Sequence, residues 1–396
     1  MKFLYHHRTL GRGGEGVHIA SMVRALETLG HTTTMASPSG VDPLAMAGDS
    51  PIDKGQSKVR GINRIWKFVS CWVPDIVFEI LEISYNLVVL FRLGPILKRR
   101  GQDVYYERYA FFMFMGVFLA KYFAWPVLLE VNEVVGVQRA RNQLLIPVSK
   151  WFEKMVFKKA DVIFTVSSFL KEEVLRRSGK AEGVHVIPNA IDSRTLETNV
   201  TGEHIRTRYT FNGSIVVGFA GWFDTWDRLD LLVDVVRDIH EEYPFVRLML
   251  VGDGPIADRL RDQVRHRKLE EVVFLTGPVP RSQVLSYIAA MDICVLPDSN
   301  VFGSPIVLFE FMGMGKAVIA PDLLPIRDII EDGKDGLIVQ RGDPHSLRQA
   351  LSLLLSDSAL RIELGERARK KVLDKHTWYE NGKRIERFAS ALIEKS

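Results

Sequence analysis

Residues 289–320 read AAMDICVLPDSNVFGSPIVLFEFMGMGKAVIA, and their reading decides the fold class. Ile293 to Leu296 is a short apolar run of the kind that forms a parallel strand buried on both faces. Ser304 then Pro305 predicts a helix start, with the hydroxyl as N-cap and the fixed φ of proline at the first helical position. Gly315 is expected to end that helix, and Ala317 to Ala320 to open the next strand. Strand, loop, helix, strand is an α/β pattern.

A helix opening directly after a buried strand presents free backbone N–H groups and the positive end of its dipole. Segment 304–307 (Ser304, Pro305, Ile306, Val307) is therefore a candidate phosphate cradle. Glu310 lies four residues after Ile306 and three after Val307, on the same helix face. From there its carboxylate can accept hydrogen bonds from ribose hydroxyls. Taken alone, a helix Glu is more often a solvated residue; the flanking pattern favours the binding role.

This segment resembles the C-terminal signature of family 4 retaining glycosyltransferases, which have the two-domain GT-B fold. Their pattern has one Glu in a Gly-containing loop and a second Glu eight residues later. A small-residue helix end, a basic residue and an apolar strand follow. Glu310 matches the second Glu, and Gly315-Lys316-Ala317-Val318-Ile319-Ala320 the remainder, while Phe302 stands where the first Glu would be. GSPIVLFE is similar to a subgroup reading G-S-P-x-K-L-F-E, with Val307 in place of the Lys. The resemblance implies two Rossmann-like domains with a deep cleft between them. Residues 1–190 would bind the acceptor, 191–375 the nucleotide sugar, and 376–396 would form a helix crossing back to the first domain.

The totals agree with such a protein. A chain of 396 residues is long enough for two cores. Apolar residues at 47% and charged ones at 25% place it among ordinary globular proteins rather than disordered or fibrous ones. Cys71 and Cys294 make no disulfide framework or zinc spacing, which favours a reducing cytoplasm. Lys2 alone precedes the strand-like Phe3-Leu4-Tyr5, so no signal peptide is expected. Apolar stretch 76–90 is broken by Glu79 and Glu82. Stretch 109–120, bounded by Arg108 and Lys121, is too short to cross about 30 Å.

In the first half, Lys2 to His7 predicts a strand, followed by Gly11, Gly13, Gly14 and Gly16. A helix is expected from about Glu15 to Leu29, and a strand at Thr32 to Met35. This is a βαβ unit in which glycines let backbone approach a phosphate. The spacing is not GxGxxG, and no acidic residue ends the second strand, which argues against a dinucleotide site. A structural turn remains an alternative. In the resembling family this loop faces the sugar diphosphate, a role that falls to Gly13 and Gly14. Further strands are expected at 103–107 and 127–131. Asn132 and Glu133, after the latter, are candidate sugar or acceptor contacts, or plain loop residues. Residues 139–159 suggest an amphipathic helix with Leu144, Val148, Phe152 and Met155 as its apolar stripe. Pro188-Asn189-Ala190-Ile191-Asp192 resembles the family's interdomain junction, and polar run 193–214 reads as a linker.

The second half repeats the plan. A strand at Ile215 to Ala220 leads to Gly221. Relatives place an Arg just after this Gly and a Lys-Gly pair six residues on, both against the diphosphate; here Trp222, Asp227 and Arg228 occupy those positions. Arg228 is the expected substitute cation, or else a surface Arg at a helix start. In relatives the backbone of the turn matching 276–279 reads the base, which falls to Val279.

The resemblance implies retaining glycosyl transfer from a nucleotide sugar, UDP ahead of GDP as the carrier, to a glycan or lipid-linked acceptor in surface polysaccharide or glycolipid synthesis. No DxD spacing or metal cluster is evident, so no metal or other cofactor is expected. Backbone N–H groups and Arg228 would hold the leaving diphosphate. Asp298 and Asn300 are the nearest polar candidates to replace the missing Glu. Three alternatives stay open: a sugar-nucleotide epimerase of the same fold, a catalytically weak GT-B scaffold subunit, and a nicotinamide oxidoreductase. Region 139–180 carries ten basic against four acidic residues, net +6, where the whole chain carries +4. A solvated helix face explains this, and so does docking on the cytoplasmic face of an anionic membrane. No nucleic-acid partner is expected.

Overall fold

The computed structural model describes residues 1–9, 14–37, 75–99, 101–137, 143–197 and 200–395. They form two compact units: one takes in the residues up to Ile187 together with those from Asn381 onward, the other Pro188–Glu380.

The first unit runs β1 (Lys2–His6), α1 (Gly14–Thr28), β2 (Thr32–Ala36), α2 (Asp75–Lys98), β3 (Val104–Arg108), α3 (Met115–Tyr122), β4 (Val127–Val131), α4 (Ile146–Lys159), β5 (Val162–Thr165), α5 (Ser168–Ser178) and β6 (Val184–Val186). The strands pair in parallel in the order β2-β1-β3-β4-β5-β6. Strand order reverses between β1 and β3, and in open α/β sheets that switch point is where ligands bind, beyond the carboxyl ends of the strands. The central strands are mostly apolar, as expected of a parallel sheet covered on both faces, and Phe3, Leu4, Tyr5, Leu128 and Leu129 are fully buried.

Helix α4 corrects one expectation. It begins at Ile146, while 138–142 lie outside the described residues. Its buried residues are Ser149, Glu153, Val156 and Phe157, and Leu144 and Val148 are exposed. A polar pair made this face hard to see. Glu153 is buried because Arg177 Nη1 (2.5 Å), Tyr109 OH (3.1 Å) and Val135 N (2.8 Å) all donate to it. The amino end of α4 has no cap of its own; the buried Glu79 of α2 accepts from Leu144 N (2.8 Å) and Leu145 N (2.7 Å) instead.

The second unit runs β7 (Ile215–Trp222), α6 (Leu229–His240), β8 (Val246–Asp253), α7 (Ala257–His266), β9 (Val273–Gly277), α8 (Val284–Ala290), β10 (Ile293–Val295), α9 (Ile306–Gly313), β11 (Ala317–Pro321), β12 (Leu337–Val339), α10 (Pro344–Ser356) and α11 (Ser358–Lys375), and α12 (Trp378–Ile393) follows. Its parallel order is β12-β11-β10-β7-β8-β9, so the switch point lies between β7 and β10. At Gly252 (φ +136°) a Cβ would stand 1.9 Å from the Gly221 carbonyl oxygen, so this approach of β7 and β8 admits only glycine.

Polar run 193–214, expected as a linker, belongs to the second core. It carries two short helices, Arg194–Glu197 and Glu203–Arg208, and its widely spaced Leu196, Ile205 and Phe211 are buried. Residues of α12 from Asn381 onward group with the first unit, where the Phe388 ring lies 5.4 Å from that of Phe164. Among the described residues no helix is long and apolar enough to cross a membrane.

Candidate functional site

In the second unit the loop from β10 to α9 is built around three polar anchors. Asp298, buried at the strand's end, accepts from Arg341 Nε at 2.7 and 3.0 Å and from Ser299 N at 2.8 Å. Asn300 Oδ1 accepts from Phe302 N (3.2 Å) and Gly303 N (2.5 Å), closing a tight turn. Ser304 is buried, its Oγ accepting from Asn189 N (3.1 Å) and its carbonyl from Asn189 Nδ2 (2.5 Å).

The helix start expected at Ser304 therefore shifts by one residue. Pro305 takes the N-cap position, and no side chain caps α9. The Ser304 hydroxyl is engaged by a backbone amide from outside the helix, so it does not turn onto the first turn. The N–H groups of that turn keep their anion-binding character. One turn further on, Glu310 is 2% exposed. Its Oε1 accepts from Arg281 Nη2, which comes from the 3-10 turn Arg281–Gln283 after β9. The Glu310 carboxylate holds the Arg281 guanidinium above its ordinary value. Val279, just before this turn, is buried.

Across the switch point, β7 ends at exposed Gly221 and Trp222. Arg228 adopts a left-handed backbone (φ +51°) and pairs with Asp230 Oδ1 at 3.1 Å. Asp227 is 7% exposed and its Oδ2 accepts from Asp224 N at 2.9 Å. Burial pushes its carboxyl up to about 7, aided by the charges of Asp224 and Asp298 and opposed by the Asp224 amide. A recess of about 200 Å³ opens beside Arg228, lined also by Thr225, Asp230, Ile256, Arg259 and Leu260.

In the first unit the switch point is organised by Glu130 of β4, 3% exposed. Its Oε1 accepts from Arg108 Nη1 (2.5 Å) and Asn132 Nδ2 (2.6 Å) and lies 2.9 Å from His18 Nε2. Its Oε2 accepts from Tyr106 OH (2.8 Å) and Tyr5 OH (3.4 Å). Burial alone would raise its pKa, but the charges of His18 and Arg108 more than offset this and hold it well below the usual carboxylate range. The bond to Glu130 fixes the Asn132 amide with Nδ2 inward. Glu133 is half-buried beside it and, with Glu15 of α1, contributes negative charge near Arg108. Gly14 opens α1 and is exposed, whereas Gly13 lies outside the described residues.

The structure thus gathers Asp298, Ser304, Pro305, Ile306, Val307 and Glu310 on one loop and helix of the second unit. Gly221, Arg228 and Val279 stand at neighbouring strand ends. Asn132, Glu133 and Gly14 belong to the first unit. Sequence reasoning missed His18, Arg108 and Glu130 there, and Arg281, Arg341 and Asn189 in the second unit. One signal was available: a charged residue in or ending an otherwise apolar parallel strand, as with Arg108 and Glu130, points to the carboxyl-end crevice.

Comparison with known proteins agrees with this geometry. A "Glycosyltransferase Family 4" domain model matches residues 12–195, and a "Glycosyl transferases group 1" model matches 214–357. An uncharacterised glycosyltransferase of Methanocaldococcus jannaschii is 23% identical over 64% of this chain and 64% of its own length. The GDP-mannose-dependent alpha-(1-6)-phosphatidylinositol monomannoside mannosyltransferase of Mycolicibacterium smegmatis is 23% identical over 61% of this chain and 65% of its own. The matches thus span just under two thirds of these relatives' length. An Anabaena protein solved in complex with UDP superposes with a TM-score of 0.71 at 15% identity, over 99% of this chain and 100% of that one. With both of its sheet units matched by glycosyltransferase domain models, the chain belongs to the family 4, group 1 glycosyltransferases of GT-B fold.

Proposed function

We propose that the enzyme moves a hexosyl group from a nucleoside-diphosphate sugar to a lipid-linked glycan acceptor, with retention at the anomeric carbon and without a metal ion. The observation that carries the donor assignment is the uncapped first turn of α9 at the β7/β10 switch point, with buried Glu310 one turn on. In this reading the N–H groups of Ile306 and Val307 hold the diphosphate. Ser304 and Pro305 shape the approach, and Glu310 takes the ribose hydroxyls. Val279 and Gly221 border the base, and Arg228 and the Gly13–Gly14 loop meet the charge that develops on the leaving diphosphate. Asn132 and Glu133 contact the sugar or acceptor, and Asp298, with Asn300, is the polar candidate to replace the missing family Glu.

Glu310→Ala removes a charge-assisted hydrogen bond worth roughly 1.5–3 kcal/mol. Donor affinity in calorimetry should fall by about one to two orders of magnitude while the fold survives. Unchanged donor binding removes Glu310 from the site. UDP is the first carrier to test and GDP the second, since the Anabaena neighbour was solved with UDP while the mycobacterial relative is GDP-mannose-dependent.

The lipid-linked acceptor, in surface polysaccharide or glycolipid synthesis at the cytoplasmic face of a membrane, is favoured by the surface of the first unit. Helix α2 packs on α3, and α3 on α4. Ile80, Leu87 and Phe91 of α2, Tyr122 of α3 and Trp151 of α4 are more than half exposed (53–81%). Lys150, Lys154, Lys158 and Lys159 are exposed alongside them. An apolar and basic surface of this kind suits an anionic leaflet. One feature favours a second reading, a catalytically weak subunit. Asp298 and Asn300, the polar residues nearest Phe302, are engaged by Arg341 and by the loop backbone. Donor hydrolysis or transfer by the purified protein separates the two.

A further inference from the structure

We propose that Asp227 meets the donor diphosphate as a neutral carboxylic acid, donating its O–H to a phosphate oxygen, so that donor binding requires this side chain to carry a proton. The inference rests on the donor reading above and adds a group to it.

The placement argues first. β7 and β10 are neighbours across the switch point. Asp227 follows one and Asp298 the other, so both lie beyond the carboxyl ends of adjacent strands, the end from which the β10 loop leads into α9. The surrounding charges argue next. From its own turn Asp227 faces Asp224, and from the β10 loop Asp298. Of the arginines around these two loops, Arg341 binds Asp298 and Arg228 binds Asp230, while Arg259 lines the recess beside Arg228. A buried carboxyl beside other carboxyls and without a guanidinium of its own favours its neutral form. Arg341 lies on Asp298, whereas the Asp227 side chain is met by the Asp224 amide. The proton therefore falls to Asp227, in line with a carboxyl pushed up to about 7.

The hydrogen-bond inventory then orients the acid. Oδ2 accepts the Asp224 amide, which leaves Oδ1 to carry the proton and donate it. An ionised Asp227 would repel the diphosphate, whereas the neutral acid adds a donor where this chain lacks a lysine. Above pH 7, binding takes up one proton from solvent. No covalent bond changes.

Calorimetry of the full chain tests this with UDP-glucose, GDP-mannose and ADP-glucose, whose phosphates do not titrate near neutrality, each from about pH 6 to about pH 8.5. For the tightest binder, affinity should drop about 30-fold between about pH 6 and about pH 8.5, given a carboxyl near 7. The heat should vary with buffer ionisation enthalpy, reporting uptake of close to one proton at the alkaline end. Asp227→Asn keeps an acceptor for the Asp224 amide and a neutral donor. It should bind at about pH 8.5 as tightly as the unaltered chain does near pH 6, with a flat profile. A pH-independent affinity in the unaltered chain, readable even if the variant fails to fold, overturns the proposal. So does a slope that persists in Asp227→Asn. If none of the three sugars binds at any pH, the donor reading itself falls, and the inference with it.

Discussion

The two switch points solve the problem of a buried carboxylate in opposite ways. In the first unit Glu130 has Arg108, His18, Asn132 and two tyrosine hydroxyls around it, so it stays charged despite burial. In the second unit Asp227 has one backbone amide and two neighbouring carboxylates, and burial raises it to about 7. Burial sets the cost of the charge in both, and the partners decide whether it is met. The first arrangement is a rigid scaffold over the whole neutral range. The second responds to pH within it.

The largest effect is expected at the rigid site. Glu130→Ala leaves the Arg108 guanidinium buried without its counter-charge and strands two tyrosine hydroxyls. Removing one partner of such a buried network costs roughly 3–5 kcal/mol. Urea unfolding of the full chain, followed by a probe of the first unit, should show this loss, and Glu130→Gln a smaller one. The depressed Glu130 pKa also gives a sign. Its stabilisation is fully present above the unfolded value, about 4.3, and is lost as pH falls below it. Glu130→Gln should therefore flatten the acid side of the stability profile. An Ala variant as stable as the parent would mean that the network's bonds merely offset its desolvation.

A smaller and opposite pH effect is expected at Asp227. Its folded pKa lies above the unfolded value, so the folded state holds the extra proton between about pH 4 and about 7. Stability attributable to this group is present in acid and declines as pH rises through that window. Relative to the parent, Asp227→Asn should gain roughly 2–4 kcal/mol on going from about pH 5 to about pH 8. Denaturant midpoints at the two pH values measure it. An equal offset at both would show that Asp227 is ionised throughout, and the contrast between the units would fail.

Much of the architecture was legible in the sequence, because apolar strand runs and Gly or Ser-Pro punctuation are local signals. The β10–α9 segment, the α1 unit and the Glu310 position were all readable on that basis. What escaped was non-local. Nothing in the sequence near Ser304 reveals that Asn189 takes its hydroxyl, or near Asp298 that Arg341 takes its carboxylate. The face of α4 was misplaced because its buried centre is the ion-paired Glu153, which any hydropathy pattern places outside. Polar run 193–214 was misread because three scattered apolar residues hold it to the core.

The smallest effect concerns the surfaces. In the second unit the exposed large apolar residues, such as Phe245, Leu353 and Ile362, come from separate elements, β8's approach, α10 and α11. In the first unit they concentrate on three helices packed in succession, beside four exposed lysines of α4. Scattered residues are ordinary surface, whereas the apolar and basic surface of the first unit is the one on which the proposed membrane docking rests. Each cation near an anionic leaflet is worth about 1 kcal/mol, and the attraction weakens with salt. Lys150, Lys154 and Lys158 all replaced by Glu should therefore abolish flotation with anionic vesicles at low salt. The second unit's donor affinity should be unchanged. Trp151→Ala should weaken flotation less and in a salt-independent way, because it removes apolar contact and no charge. Equal binding of the parent to neutral vesicles, or none to anionic ones at low salt, would reduce the basic surface of α4 to solvated polarity and leave the two units alike in this respect.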